Sequence, residues 1–168
     1  MSESVTSYIW RFVILVLLQV FVINNIEISN HIVPYVYILF ILLLPVEFPG
    51  WILLVLAFFL GLSVDIFSQT LGFHTISTVL MAYVRPIILS TFAPRDGYES
   101  GSLPRISSFG FVWFFKYTLI LVFIHHLALF LLEIFRFEDL PQILLRVLLS
   151  SLFSLTFIIV SQFVIYRK

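Results

Sequence analysis

The chain has 168 residues, of which 61% are hydrophobic and 11% charged, and its mean hydropathy is +1.14. Nine acids and nine bases are too few to solvate the surface that a water-soluble domain of this size leaves exposed, so the bilayer must be the solvent. Zero net charge without a basic run excludes nucleic-acid binding through phosphate neutralisation, and the absence of cysteine excludes disulfides, thiolate nucleophiles and zinc-thiolate clusters.

Six apolar runs follow in chain order, at residues 9–26, 32–46, 51–67, 71–93, 109–135 and 143–166. Most approach the roughly 20 residues that a spanning helix needs, and the spacing predicts an all-α integral membrane protein of six transmembrane helices in a single domain. The first run ends in Asn24-Asn25 without a small-residue cleavage pattern, so it reads as a retained span and not a signal peptide. Pro45, Pro49-Gly50, Gly72, residues 94–104 and residues 136–141 punctuate the rest, with mostly short connections that predict antiparallel neighbours. The second run is short: as a helix its fifteen residues reach about 22 Å, less than the roughly 30 Å of hydrocarbon. It is expected to thin the bilayer or to dip partway in. The runs are apolar on all faces, without the alternation of a lipid-facing strand, and this favours helices over a barrel.

A cytoplasmic amino terminus puts Arg11, Arg85, Arg95, Arg105, Lys116, Arg167 and Lys168 at the inner face and only Arg136 and Arg146 outside. Trp10, Trp51 and Trp113 then lie near cytoplasmic helix ends, in the headgroup region, and both termini are expected in the cytoplasm.

Polar residues inside apolar runs need a reason. Asp65 follows Gly61 by one turn and precedes Ser68 by three residues, so the three share a helix face. A carboxylate at this depth reads either as a headgroup-level cap on the turn to the next helix or as an interior polar contact, with Gly61 admitting a neighbouring backbone. His74, Thr78, Met81 and Arg85 form one stripe on the fourth run, and the tight turn at Gly72 brings His74 to the level of Asp65, where the two can pair. His74 reads otherwise as an interfacial histidine, and Arg85 as a snorkelling cation before Pro86.

His125 and His126 point about 100° apart on a helix and have no third ligand at suitable spacing, so no metal site is expected. Glu133 is expected to pair with Arg136. No nucleophile elbow, phosphate-binding glycine loop or paired His-Glu zinc motif occurs, so neither an enzyme nor a cofactor is expected. The longest polar segment, 94–108, carries Arg95, Asp96, Gly97, Tyr98 and Glu99 and reads as a solvated turn or as a contact for a partner.

The stretch Leu44-Pro45, Trp51, Gly61-Leu62-Ser63-Val64-Asp65-Ile66-Phe67, Leu71-Gly72-Phe73-His74 and Tyr83-Val84-Arg85-Pro86 resembles the rod shape-determining protein MreD family. The loop Pro94-Arg95-Asp96-Gly97-Tyr98-Glu99 looks like that of its Bacteroidetes-type members. The resemblance implies a multi-span subunit of the bacterial inner membrane, bound to the bitopic protein MreC and, through the assembly, to the MreB filament and the peptidoglycan synthases. It also implies a fold similar to the S components of energy-coupling-factor transporters. Gly61, Asp65, Gly72 and His74 match the family's central motif, which carries no catalytic role. The expected function is a scaffold that docks a single-span partner. The competing reading is a solute-binding transport subunit, with Asp65, Ser68, His74, Thr78 and Arg85 lining a cavity.

Overall fold

The computed structural model describes residues 4–26, 32–134 and 140–165. Those residues hold helices and no strand, and five of the helices are long and apolar enough to cross a membrane. The first is α1, Val5–Leu17, capped by the Ser4 side chain and continued by a π turn at Leu18–Val22 and a 3-10 turn at Ile23–Asn25. The others are α3 (Gly50–Ser68), α4 (Phe73–Thr91), α6 (Phe111–Ile134) and α7 (Leu140–Ile165). Two single-turn helices, α2 (Leu39–Leu42) and α5 (Ile106–Phe109), lie between them.

The expected second spanning helix does not form. Among residues 32–46 only α2 is helical, yet every residue from Tyr37 to Leu44 is 5% exposed or less. The direction of its neighbours explains why this segment must cross. Asn24 at the end of α1 donates to Ser68 at the end of α3 (3.1 Å), while Val5 and Ile9 flank Phe48 and Leu56 at the opposite end. The two helices are therefore parallel, and the chain between them has to return over the full length of the bundle. A fifteen-residue helix is too short for that return, whereas non-helical chain covers up to about 3.3 Å per residue. Pro34 and Pro45 frame the segment and disfavour helix just before each. Non-helical backbone is tolerated at membrane depth only inside protein, and here it forms the core of the bundle.

Four helices pack around this core in chain order: α3 against α4, α4 against α6, and α6 against α7, with α1 resting on α2 and α3. Each of the three pairs is antiparallel, as cross-links between α4 and α6 (Arg85 with Tyr117, Phe92 with Trp113) and between α6 and α7 (His126 with Ser154, Glu133 with Arg146) require. The start of α1 and the end of α7 thus lie toward the same end of the bundle.

Candidate functional site

Among the described residues three polar clusters occupy the interior, and each is built on a break in helical structure. The first is the hairpin between α3 and α4. Gln69 leaves α3 in the left-handed conformation (φ 55°), and Gly72, at φ 89°, starts α4 without a capping side chain of its own. The carboxylate of Asp65 supplies the missing cap. Its Oδ1 accepts from the His74 backbone N–H (3.1 Å), from His74 Nδ1 (3.0 Å) and from the Thr70 hydroxyl (2.5 Å). Its Oδ2 accepts from the Thr75 backbone N–H (2.8 Å) and the Thr75 hydroxyl (2.5 Å). A negative charge here meets the orphan N–H groups and the positive end of the α4 dipole. Gly61 makes the approach possible, because a Cβ there would lie 2.5 Å from the Thr75 Cα.

The second cluster grips the upstream half of the core segment. Gln19, fully buried on the π turn, accepts with Oε1 from the N–H groups of Val36 (2.7 Å) and Tyr37 (3.4 Å). Its Nε2 donates to the Pro34 carbonyl (3.1 Å) and to Asn24 Oδ1 (2.8 Å). From α7, the hydroxyls of Ser150 and Ser154 accept from the N–H groups of Val33 (3.1 Å) and Tyr35 (2.8 Å). The Ser154 hydroxyl in turn meets His126 Nε2 at 3.0 Å, while His126 Nδ1 bonds to the Val122 carbonyl (2.8 Å). This serine-histidine pair has the spacing of a nucleophile and its base. Its hydroxyl is fully enclosed and already holds the Tyr35 amide, so the pair works as a clamp. The Tyr37 hydroxyl bridges Thr78 on α4 (3.0 Å) and His125 Nε2 on α6 (2.7 Å), and Thr78 also donates to the His74 carbonyl (2.7 Å). With Thr78 donating to His74 and Tyr37 to Thr78, His125 must carry its proton on Nε2, which leaves Nδ1 as a buried acceptor with no partner.

The third cluster closes the other end of the segment. Arg85 is 1% exposed, and its Nη2 donates to the carbonyls of Leu44 and Pro45 while Nε donates to the Tyr117 hydroxyl (2.9 Å). Tyr117 donates onward to the Leu42 carbonyl (2.9 Å). These are carbonyls just past a helix that ends too soon to satisfy them, and a fork of cationic donors suits them. Arg85 is thus drawn inward to its own chain and does not snorkel.

Asp65, His74, Gly61 and Gly72 therefore share one hairpin, and Thr78 joins them to the core segment. Ser68 lies apart, bonded to Asn24, and Arg85 belongs to the far end. Glu133 pairs with Arg146 at 3.3 Å, and Arg146 stacks on Phe130 at 4.4 Å; Arg136 lies outside the described residues. Among the described residues no three potential metal ligands come together.

The segment after α4 is an ordered turn. Gly97, at φ 77°, donates to the Pro94 carbonyl (3.0 Å), and the backbone N–H of Val46 donates to the Ser102 carbonyl (2.9 Å), docking the loop on the end of the core segment. Arg95, Asp96 and Glu99 are exposed. Tyr98 is half-buried against Phe109 and Trp113 and donates to the Leu89 carbonyl (2.7 Å); burial raises its hydroxyl pKa above the usual phenol value. Asp96, Glu99 and Arg105 line a polar recess of about 670 Å³.

Gln19, Ser150, Ser154 and Tyr117 were not singled out by the sequence reading. The available signal was an amide in the first apolar run and two serines one turn apart in the last. Comparison with protein families, with curated proteins and with solved structures gave no match. The class defined by the fold is a multi-pass, all-helical membrane protein with a non-helical core segment.

Proposed function

We propose that this protein is a non-catalytic scaffold of the bacterial inner membrane, a subunit of the cell-elongation machinery that docks a bitopic MreC-like partner. Through the assembly it is linked indirectly to an MreB-like filament and the peptidoglycan synthases. Both termini are assigned to the cytoplasm, which puts the 94–109 loop there as well, together with the exposed Arg95, Asp96 and Glu99. The family resemblance around Gly61, Asp65, Gly72 and His74 is the ground for the assignment to cell elongation.

One observation carries the scaffold reading over the transport reading. The polar side chains of a would-be cavity are engaged by the protein's own backbone and side chains, and residues 32–46 fill the centre of the bundle. Asp65 caps α4, Thr78 holds Tyr37, and Arg85 holds Leu44 and Pro45. The remaining lipid-facing surface is apolar and broad, with Trp51, Phe58, Tyr83, Leu148 and Phe163 among its exposed residues. Association through such a surface relies on close packing between helices. The test is affinity purification in mild detergent followed by mass spectrometry. A single-span wall-elongation protein in stoichiometric amount supports the proposal; an energising ATPase or a tightly bound solute in its place overturns it.

A further inference from the structure

The core segment differs from the helices around it in how its backbone is satisfied. A helix keeps its hydrogen bonds within itself, whereas the N–H groups of Val33, Tyr35, Val36 and Tyr37 end on side chains of α7 and of the π turn that follows α1. Every one of those bonds is lost if the segment leaves, while the pairings of α3 with α4, α4 with α6 and α6 with α7 do not pass through it. Moving its apolar side chains out of the bundle meets no hydrophobic penalty, because acyl chains are as apolar as leucine, so what opening costs is close packing and these hydrogen bonds. The polar clamp holds the upstream half of the segment, as Arg85 and Tyr117 hold its other end. Gln19 stands at the centre of that clamp, since one amide serves two donors and one carbonyl of the segment.

We propose that residues 32–46 form a strap that opens as a unit of its own, ahead of the helical bundle, with Gln19 as its latch. Opening leaves the helices assembled and turns the side chains of Gln19, Thr78, Ser150 and Ser154 toward the slot the strap has left. From Leu39 to Leu44 the segment bonds to its own carbonyls, so it can move as a unit, and such local opening is the membrane counterpart of sub-global unfolding in soluble proteins.

Hydrogen exchange read by mass spectrometry on the full chain in mild detergent tests this. In Gln19→Leu, amides of the strap exchange at least about tenfold faster, the loss expected from unsatisfied buried donors, while those of α6 and α7 keep their wild-type rates. Gln162→Leu, which removes a buried amide on α7 that has no partner, leaves the strap unchanged. A strap as slow in Gln19→Leu as in wild type overturns the proposal, as does acceleration of α6 and α7 together with it. Should Gln19→Leu not fold, a ramp of denaturing detergent on the wild type decides. Exchange of the strap before α6 supports a separate unit, and simultaneous exchange overturns it.

Discussion

Asp65 on α3 and Thr75 on α4 are joined twice through a single carboxylate oxygen, which accepts both the backbone N–H and the hydroxyl of Thr75. The start of α4 is thereby capped from the preceding helix, because the residue at its own cap position, Gly72, has no side chain to offer. Asp65→Ala leaves the N–H groups of His74 and Thr75 without acceptors at a buried site, at a cost of about 2–4 kcal/mol, and Asp65→Asn, which keeps one acceptor oxygen, costs roughly half as much. Thermal unfolding in detergent checks the order: wild type, then Asn, then Ala.

Gly61 is the packing counterpart of that cap. In Gly61→Ala the added methyl meets the Thr75 backbone, which cannot rotate away, so α3 and α4 must separate and Asp65 withdraws from its donors. A loss of about 1–3 kcal/mol is expected, with less than additive loss in the Gly61→Ala, Asp65→Ala double variant.

The same substitution has opposite signs in two helices. Gln19→Leu removes the acceptor of Val36 and Tyr37 and destabilises by about 1–3 kcal/mol, whereas Gln162→Leu removes a buried amide with no hydrogen bond and stabilises by about 1 kcal/mol. Unfolding midpoints that move in opposite directions are the expected result.

Arg85 is expected to resist conservative exchange. Lysine offers one ammonium where the guanidinium spans the Leu44 and Pro45 carbonyls and Tyr117, so Arg85→Lys loses about 1–3 kcal/mol, and Tyr117→Phe about 1–2 kcal/mol. Both are read as a lowered midpoint of unfolding, and their double variant is expected to show coupling.

Much of this fold is legible in the hydropathy. Five of the apolar runs correspond to spanning helices with ends shifted by a few residues, because length and uniform apolarity decide whether a helix can cross. The second run deceived the reading for a physical reason: hydropathy measures removal from water, and a segment surrounded by protein looks the same as one surrounded by lipid. Its shortfall in length was the clue, since fifteen residues cannot cross as a helix but can when unwound. The hairpin of Gly61, Asp65, Gly72 and His74 was legible too, because a tight turn fixes which residues share a level. Partners that come from distant chain were not. Nothing in the spacing of Ser150 and Ser154 says that their hydroxyls serve amides more than a hundred residues earlier, or that Arg85 turns inward to meet Leu44.

Residues 32–46 pass through the inside of the bundle, where they engage the interior polar groups. The chain has no cysteine, so paired cysteines at Val33 and Ser150 report that passage directly in native membranes. A short bifunctional thiol reagent is expected to join Val33→Cys to Ser150→Cys efficiently and to leave Val33→Cys with Leu148→Cys, on the exposed face of α7, unjoined. Cross-linking to Leu148→Cys in preference to Ser150→Cys would put the segment outside the bundle and contradict the account.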